Sequence, residues 1–304
     1  MTNRRTFLQN ASLLLAGAMM SYSFDLKKKK PLLSFSTLGC PDWSFGKITD
    51  FAVEHGYHGI EFRGLQREMD LTKCNEFRTG LNRKSTVQLM RDKGLHFVGL
   101  GSSATLHFAE EGVRQKNLDE GRRFIDLAQE INCPYVRVFP NKFPKDQERN
   151  QTIDLITQGL LELAEYAKGS KVVVLMETHG DLIKTEDLLA IMNAAEHKHS
   201  GLVWDISNMW TITKEDPAEV YRNLKKYIRH THLKDARIVE GKLNYSLLGE
   251  GQVPIFTAID QLIKDNYEGY YSFEWEKLWH PEIAEPEIAL AHYPQAMKRY
   301  FDKH

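Results

Sequence analysis

Short β-rich runs alternate with helical ones from Pro31 almost to the C-terminus, and no other feature constrains the fold as tightly. "PLLSFSTLG" precedes an amphipathic segment with Phe45, Ile48, Phe51 and Ala52 on one helix face. "HGYHGIEFRG" reads as a second strand, residues 85–93 as a helix opened by Ser85 or Thr86, and "GLHFVGLGSS" as a third strand. A helix over 117–130 leads to "CPYVRVFP", and a strongly amphipathic one over 150–168 leads to "KVVVLMETHG". Thr185 is predicted to cap "EDLLAIMNAAEH" before the strand "GLVWDISN". Asp216 and Pro217 open "AEVYRNLKKY", after which "IRHTHLKD" is a strand. Pro254 opens "IFTAIDQLIKDN" ahead of the last strand, "GYYSFEWE". Successive strands joined through helices must run parallel, and eight of them over about 270 residues close into a (β/α)8 barrel more readily than they form an open sheet. No G-x-G-x-x-G follows any strand, which argues against a doubly wound dinucleotide fold.

The N-terminus stands apart from this rhythm. Arg4 and Arg5 precede an apolar stretch, Ala11 to Met20, that is too short for a span of about 20 residues. It reads as a twin-arginine export signal, followed by a basic linker at Lys27 to Lys30; no cysteine follows to carry a lipid, so no stable membrane anchor is expected. The expected organisation is therefore a leader and linker over residues 1–30 and one barrel over 31–304, exported and periplasmic. With 40 Lys and Arg against 41 Asp and Glu, the net charge of -1 does not suit a polyanionic partner, so nucleic acid is not expected. Cys40, Cys74 and Cys133 are odd in number and widely spaced, which is no disulfide framework and fits small buried hydrophobes.

In such a barrel the chemistry lies at the C-terminal ends of the strands. Four strands end alike: Glu177 after "VVVLM", Asp205 after "GLVW", His232 in "IRHTH" and Glu274 after "GYYSF". They are separated by 28, 27 and 42 residues, close to the roughly 30 of one βα unit except where "EGKLNYSLLGEGQ" lengthens a loop. Three carboxylates meeting over a barrel axis repel one another unless a cation compensates them. Read with an imidazole and no thiolate, they predict a cage for one divalent cation, with Mn²⁺, Mg²⁺ or Co²⁺ favoured and Zn²⁺ admissible.

The succession "FSTLGCPDWSF", "GYHGIEFRG", "METHGD", "WDISN", "HTHLKD", "LGEGQVPI" and "GYYSFEWE" resembles the xylose isomerase-like TIM-barrel superfamily of sugar isomerases and epimerases, over about residues 32–300. The resemblance implies that Glu177, Asp205, His232 and Glu274 hold the metal, and that Glu177 and Glu274 flank the substrate as acid and base. Moving a proton next to a sugar carbonyl generates an enediolate, whose charge develops against the cation. A carboxylate on each face of the carbon gives epimerisation. One carboxylate working between adjacent carbons gives isomerisation, and a β-leaving group diverts the same carbanion to elimination. The expected partner is thus a small sugar or sugar derivative, and a homo-oligomer is compatible with such barrels.

Supporting residues follow from position. His179 shares the face of Glu177 and could reach substrate or ligand, or serve structure alone. Lys234 and Arg237 could neutralise a substrate oxyanion, and Trp43, Trp204 or Trp275 could stack on a sugar ring or belong to the core or rim. Glu61 and Arg63 end the second strand and could pair with each other; Glu276 shares the face of Glu274 and could exchange roles with it. Asn208 stands three after Asp205, where related abasic-site endonucleases place a zinc-binding His. That departure argues against multinuclear phosphodiester hydrolysis and against a standard free ketohexose. The competing expectations are a lyase or hydratase acting on a 3-keto sugar or glycoside, and a non-catalytic sugar-binding barrel.

Overall fold

The computed structural model describes residues 30–303; the expected leader and linker lie outside them apart from Lys30. Eight parallel strands close in the order β1-β10-β7-β6-β5-β4-β3-β2. They are β1 (Leu32–Ser36), β2 (Gly59–Phe62), β3 (His96–Thr105), β4 (Tyr135–Phe139), β5 (Val173–Glu177), β6 (Ser200–Asp205), β7 (Ile228–Leu233) and β10 (Tyr270–Phe273). Around them run α1 (Phe45–Glu54), α2 (Gly80–Asp92), α3 (Glu111–Glu130), α4 (Arg149–Tyr166), α5 (Thr185–Ala194), α6 (Ile206–Thr213), α7 (Pro217–Leu224), α8 (Ile255–Lys264) and α9 (Pro286–Phe301). The expected barrel is therefore the observed one. Among the described residues no helix is long and apolar enough to cross a membrane. The three cysteines are free and buried.

Strand parity divides the side chains. Residues such as Phe35, Ile60, Val138, Met176, Trp204 and Phe273 belong to the buried apolar layer under the helices. Their neighbours of opposite parity turn to the barrel axis. That axis is polar: Ser34, Glu61, Arg137, His230, His232 and Ser272 are all buried. Small residues on β3 make space there, since a Cβ on Gly101 would lie 2.6 Å from Arg63 Cδ and 2.9 Å from Arg137 Nη2.

Three local departures from the sequence reading have physical causes. Helix α2 starts at Gly80, five residues before Ser85, because Thr79 caps it by accepting from Asn82 N, and Thr86 instead donates to the Glu76 carbonyl. Thr185 is the first residue of α5 and Lys184 occupies its cap position; the Thr185 hydroxyl bonds Glu215. Helix α6 begins directly after β6, which leaves no loop to read, and Asp205 caps it by accepting from Asn208 N at 2.8 Å. Asp216 caps α7 with Pro217 in its first turn, as the sequence predicts.

After β7 the chain forms an antiparallel hairpin, β8 (Asp235–Val239) and β9 (Lys242–Ser246), turning at Glu240 and Gly241, both at positive φ. Asp235 then anchors the following loop: its carboxylate accepts from the backbone of Gly249 (2.9 Å), Gly251 (2.8 Å) and Val253 (3.2 Å). This gives the pairing of "HTHLKD" with "LGEG" its physical basis. A side chain at Gly251 would overlap the Asp235 carboxylate.

Candidate metal centre and active site

Residues His230, His232 and Lys234 climb the inner face of β7 and its extension. The His232 ring stands at the level where three other strands end. Its Nδ1 lies 3.6 Å from Glu177 Oε1, 3.9 Å from Asp205 Oδ2 and 3.3 Å from Glu274 Oε1. One ligand atom from each of these four residues lies within 4.8 Å of the others, and all four residues are buried. Neighbouring ligands on an ion with bonds of about 2.1 Å are separated by about 3–3.5 Å, so modest side-chain adjustment would close this set round a cation. His232 Nδ1 is fully buried without a well-formed hydrogen bond among the described residues, as expected of an atom available to a metal, whereas Asp205 Oδ2 and Glu177 Oε2 are ion-paired with Lys234 and Arg137. The set could hold one divalent ion, and its oxygen-rich donors suit a hard or borderline cation.

Electrostatics point the same way. Burial, reinforced by the charges of Glu274 and Glu177, raises the Asp205 carboxyl to about 7 despite Lys234 alongside. Burial opposes charge on His232, but Glu274, Glu61 and Glu177 outweigh it and hold the imidazole far above its usual range. Glu274 is kept well below the carboxylate range against burial by His232 and Lys234. The pocket is thus short of positive charge. Metal entry at Nδ1 requires the neutral imidazole and releases the proton there.

Beneath the cluster, Glu61 crosses from β2. His230 Nε2 donates to it at 2.9 Å, and His232 Nε2 lies 3.0 Å from both carboxylate oxygens. Ser272 Oγ donates to the same carboxylate at 3.2 Å. A carboxylate only accepts, so Nε2 of His232 carries a hydrogen and Nδ1 is the nitrogen left for a metal. Burial of Glu61 is outweighed by His232 and His230, which keep its carboxyl far below the ordinary range. Glu61 therefore pairs with the histidines of β7, not with Arg63, and it supports the cluster from below.

Lys234 sits within the cluster. Its Nζ contacts Asp205 Oδ2 at 2.8 Å, Glu274 Oε2 at 2.5 Å and Glu276 Oε1 at 2.6 Å. Glu276 is thus a lysine partner, whereas Glu274 faces both Lys234 and His232. Arg137, on β4, places Nε 3.0 Å from Glu177 Oε2 and donates through Nη1 to the Ser102 carbonyl at 2.7 Å. His179 Nδ1 lies 2.7 Å from Asn141 Oδ1, which assigns the ring its Nδ1–H tautomer and leaves Nε2 as an acceptor. Burial lowers the His179 pKa, which keeps the ring neutral.

Other predicted site residues lie elsewhere. Trp204 neighbours the inward-facing Asp205 and so faces outward, packing on Tyr221 of α7. Trp275 is likewise buried, stacked on Phe273 and donating Nε1 to the Ala284 carbonyl. Trp43 packs on Phe51 of α1 with the Lys47 ammonium over its ring. Arg237, on the exposed hairpin, donates to the Glu250 carbonyl. Asn208 supplies the capped N–H for Asp205, and its amide reaches the Thr178 carbonyl at 3.4 Å. Arg63, Arg137, Asn141 and His230 join the site without having been singled out as site residues. For Arg137 and His230 the signal was available, since alternation along "YVRVF" and "IRHTH" turns both inward.

The structure defines a closed parallel α/β barrel with an oxygen-rich, imidazole-containing cluster at its strand ends that could hold a divalent ion. The chain belongs to the family described as xylose isomerase-like TIM barrel, which it matches over residues 49–296. It is similar to the 3-dehydroshikimate dehydratase of Bacillus anthracis, at 23% identity over 252 residues, covering 76% of this chain and 85% of that protein. It is also similar to the inosose dehydratase of Geobacillus thermodenitrificans, at 30% identity over 158 residues, covering 45% of this chain but only 51% of that protein. The solved IOLI protein with a binding zinc atom superposes with a TM-score of 0.75 at 15% identity, over 89% of this chain and 98% of its own. The 3-keto-D-glucoside 4-epimerase of E. coli does so with a TM-score of 0.68 at 16% identity, over 90% of this chain and all of its own (100%). At these identities the two structures speak for the fold.

Proposed function

We propose that the protein is a divalent-metal-dependent enzyme that transfers a proton next to the carbonyl of a small sugar-like substrate, with isomerisation or epimerisation as the outcome. The carrying observation is that Glu177, the last residue of β5, and Glu274, the residue after β10, approach the same His232 Nδ1 at 3.6 and 3.3 Å. A bound divalent ion would act as a Lewis acid toward the carbonyl and the enediolate charge. Glu177, Asp205, His232 and Glu274 would hold it. One of the two glutamates takes the proton from carbon; in epimerisation the other, entering the cycle protonated, delivers its own proton to the opposite face, and in isomerisation the same one returns its proton to the adjacent carbon. Lys234 and Arg137 hold these carboxylates in place, and His179 presents Nε2 to a substrate hydroxyl.

A second reading is dehydration: the same proton is removed, the electron pair forms a carbon–carbon double bond, and a β-hydroxyl leaves as water after taking a proton. Its specific support is that both of the sequence relatives described above are named dehydratases. Solvent deuterium exchange into a panel of keto sugars with added Mn²⁺, followed by ultraviolet detection of an enone, tests both readings. Exchange without enone supports the first, enone the second. No exchange by protein carrying metal would sink both. We also propose that residues 1–30 direct a folded barrel, residues 31–304, to the periplasm; a reporter fused behind residues 1–30 would be retained in the cytoplasm once Arg4 and Arg5 are replaced by Lys.

A further inference from the structure

The cations at the barrel mouth are unequally satisfied. Lys234 meets three carboxylates, and Arg137 meets Glu177 and a carbonyl. Arg63 meets none. Immediately after β2, its side chain is buried to 7% exposure, and among the described residues its guanidinium makes one long hydrogen bond, Nη1 to the Gly101 carbonyl at 3.5 Å, and no ion pair. It lies beside Arg137, and both guanidinium carbons stand near the Phe139 ring, at 5.9 and 3.7 Å from its centroid. The glycine at 101 leaves room for both arginines.

A buried cation without a counter-charge is unfavourable, and a second cation next to it adds to the penalty. Burial, then Arg137, push Arg63 down to about 9, against the attraction of Glu177, Glu120 and Glu274. At this mouth Lys234 and Arg137 are ion-paired with Glu177, Asp205, Glu274 and Glu276, and Arg63 is the buried cation left without an ion pair among the described residues. A planar guanidinium fork with free donors matches a carboxylate in shape and charge. A phosphate dianion matches less well here, because Glu177 and Glu274 stand close by.

We propose that Arg63, backed by Arg137 across Gly101, forms an anion subsite that binds a carboxylate group carried by the substrate. This rests on the reading of the barrel mouth as the substrate site and narrows the substrate class from neutral sugars to sugar-like or cyclic polyhydroxy acids. An oxyanion arising only during reaction is the other source of negative charge, and ground-state binding separates the two.

The test is calorimetric binding to the full chain, Mn²⁺-loaded and metal-stripped, with the matched pairs D-glucuronate and D-glucose, and quinate and myo-inositol, at fixed ionic strength. At least one acid is expected to bind ten-fold or more tightly than its neutral partner, with the preference persisting in metal-stripped protein, where chelation plays no part. Arg63→Gln should abolish the preference while leaving neutral binding within two-fold. Arg63→Lys keeps the charge without the fork and should weaken the acid several-fold; it decides the matter if Arg63→Gln does not give a cooperative thermal transition. Equal binding of acids and neutral partners, no binding of either acid, or a preference unchanged in these variants overturns the subsite. Loss of the subsite with deuterium exchange intact leaves the proton-transfer reading standing. Carboxylate preference without exchange for any substrate does the reverse.

Discussion

Glu61 on β2 and His232 on β7 are joined across the barrel axis, with Nε2 3.0 Å from each carboxylate oxygen. The contact fixes which nitrogen of the ring is free, and so it aims Nδ1 at Glu177, Asp205 and Glu274.

Replacing Glu61 should therefore harm metal binding without touching a metal ligand. Glu61→Gln is expected to lower Mn²⁺ affinity about 10- to 100-fold, the range for loss of an outer-shell carboxylate. Titration calorimetry measures it, and an affinity within two-fold of the parent would mean that Glu61 has no orienting role.

Asp205 serves two partners with two oxygens, Oδ1 capping α6 and Oδ2 facing the cluster. Asn is as good a cap as Asp, whereas Ala is not. Both Asp205→Asn and Asp205→Ala should lose metal affinity. In metal-free protein the Ala variant should be about 1 kcal/mol less stable than the Asn variant. Urea unfolding of the pair checks this, and equal stabilities would remove the cap from the account.

Gly251 packs against the Asp235 carboxylate with no room for a methyl group. Gly251→Ala should cost about 1–3 kcal/mol, typical of overpacking at a fixed site. Asp235→Ala should be comparably harmful, since it strips an acceptor from Gly249, Gly251 and Val253. Denaturant midpoints of both variants are the measurement; a neutral Gly251→Ala would show that the loop yields freely.

Removing metal should lower the melting temperature as well as activity. An ion held at 100 times its dissociation constant adds about 2.7 kcal/mol of stability. Differential scanning calorimetry before and after chelation should show this loss, restored by Mn²⁺. Unchanged melting after verified depletion would count against the four-residue cluster as a metal centre.

Much of this was legible in the sequence because a barrel repeats one rule. A residue at the end of each strand points to one place, so Glu177, Asp205, His232 and Glu274 could be assembled from their spacing alone. The same parity decides against Trp204, whose neighbour Asp205 faces inward. What the sequence hid was pairing across the axis. Glu61 is 171 residues from His232, and nothing local distinguishes its histidine partners from the nearby Arg63. Helix α6 was hidden for the opposite reason: it starts at the residue after a strand, so no polar loop separates the two periods. Asn141, at positive φ beside His179, was missed because its role depends on two loops meeting.

The separation between Glu61 and His232 also bears on the order of assembly. All four cluster residues lie between Glu177 and Glu274, in the later half of the chain, whereas the contact that turns the imidazole toward the three carboxylates comes from β2. A chain whose first strand pairs have come undone keeps these four residues but loses the carboxylate that orients His232. An ion held at full affinity would therefore report that the first strands have closed against the last.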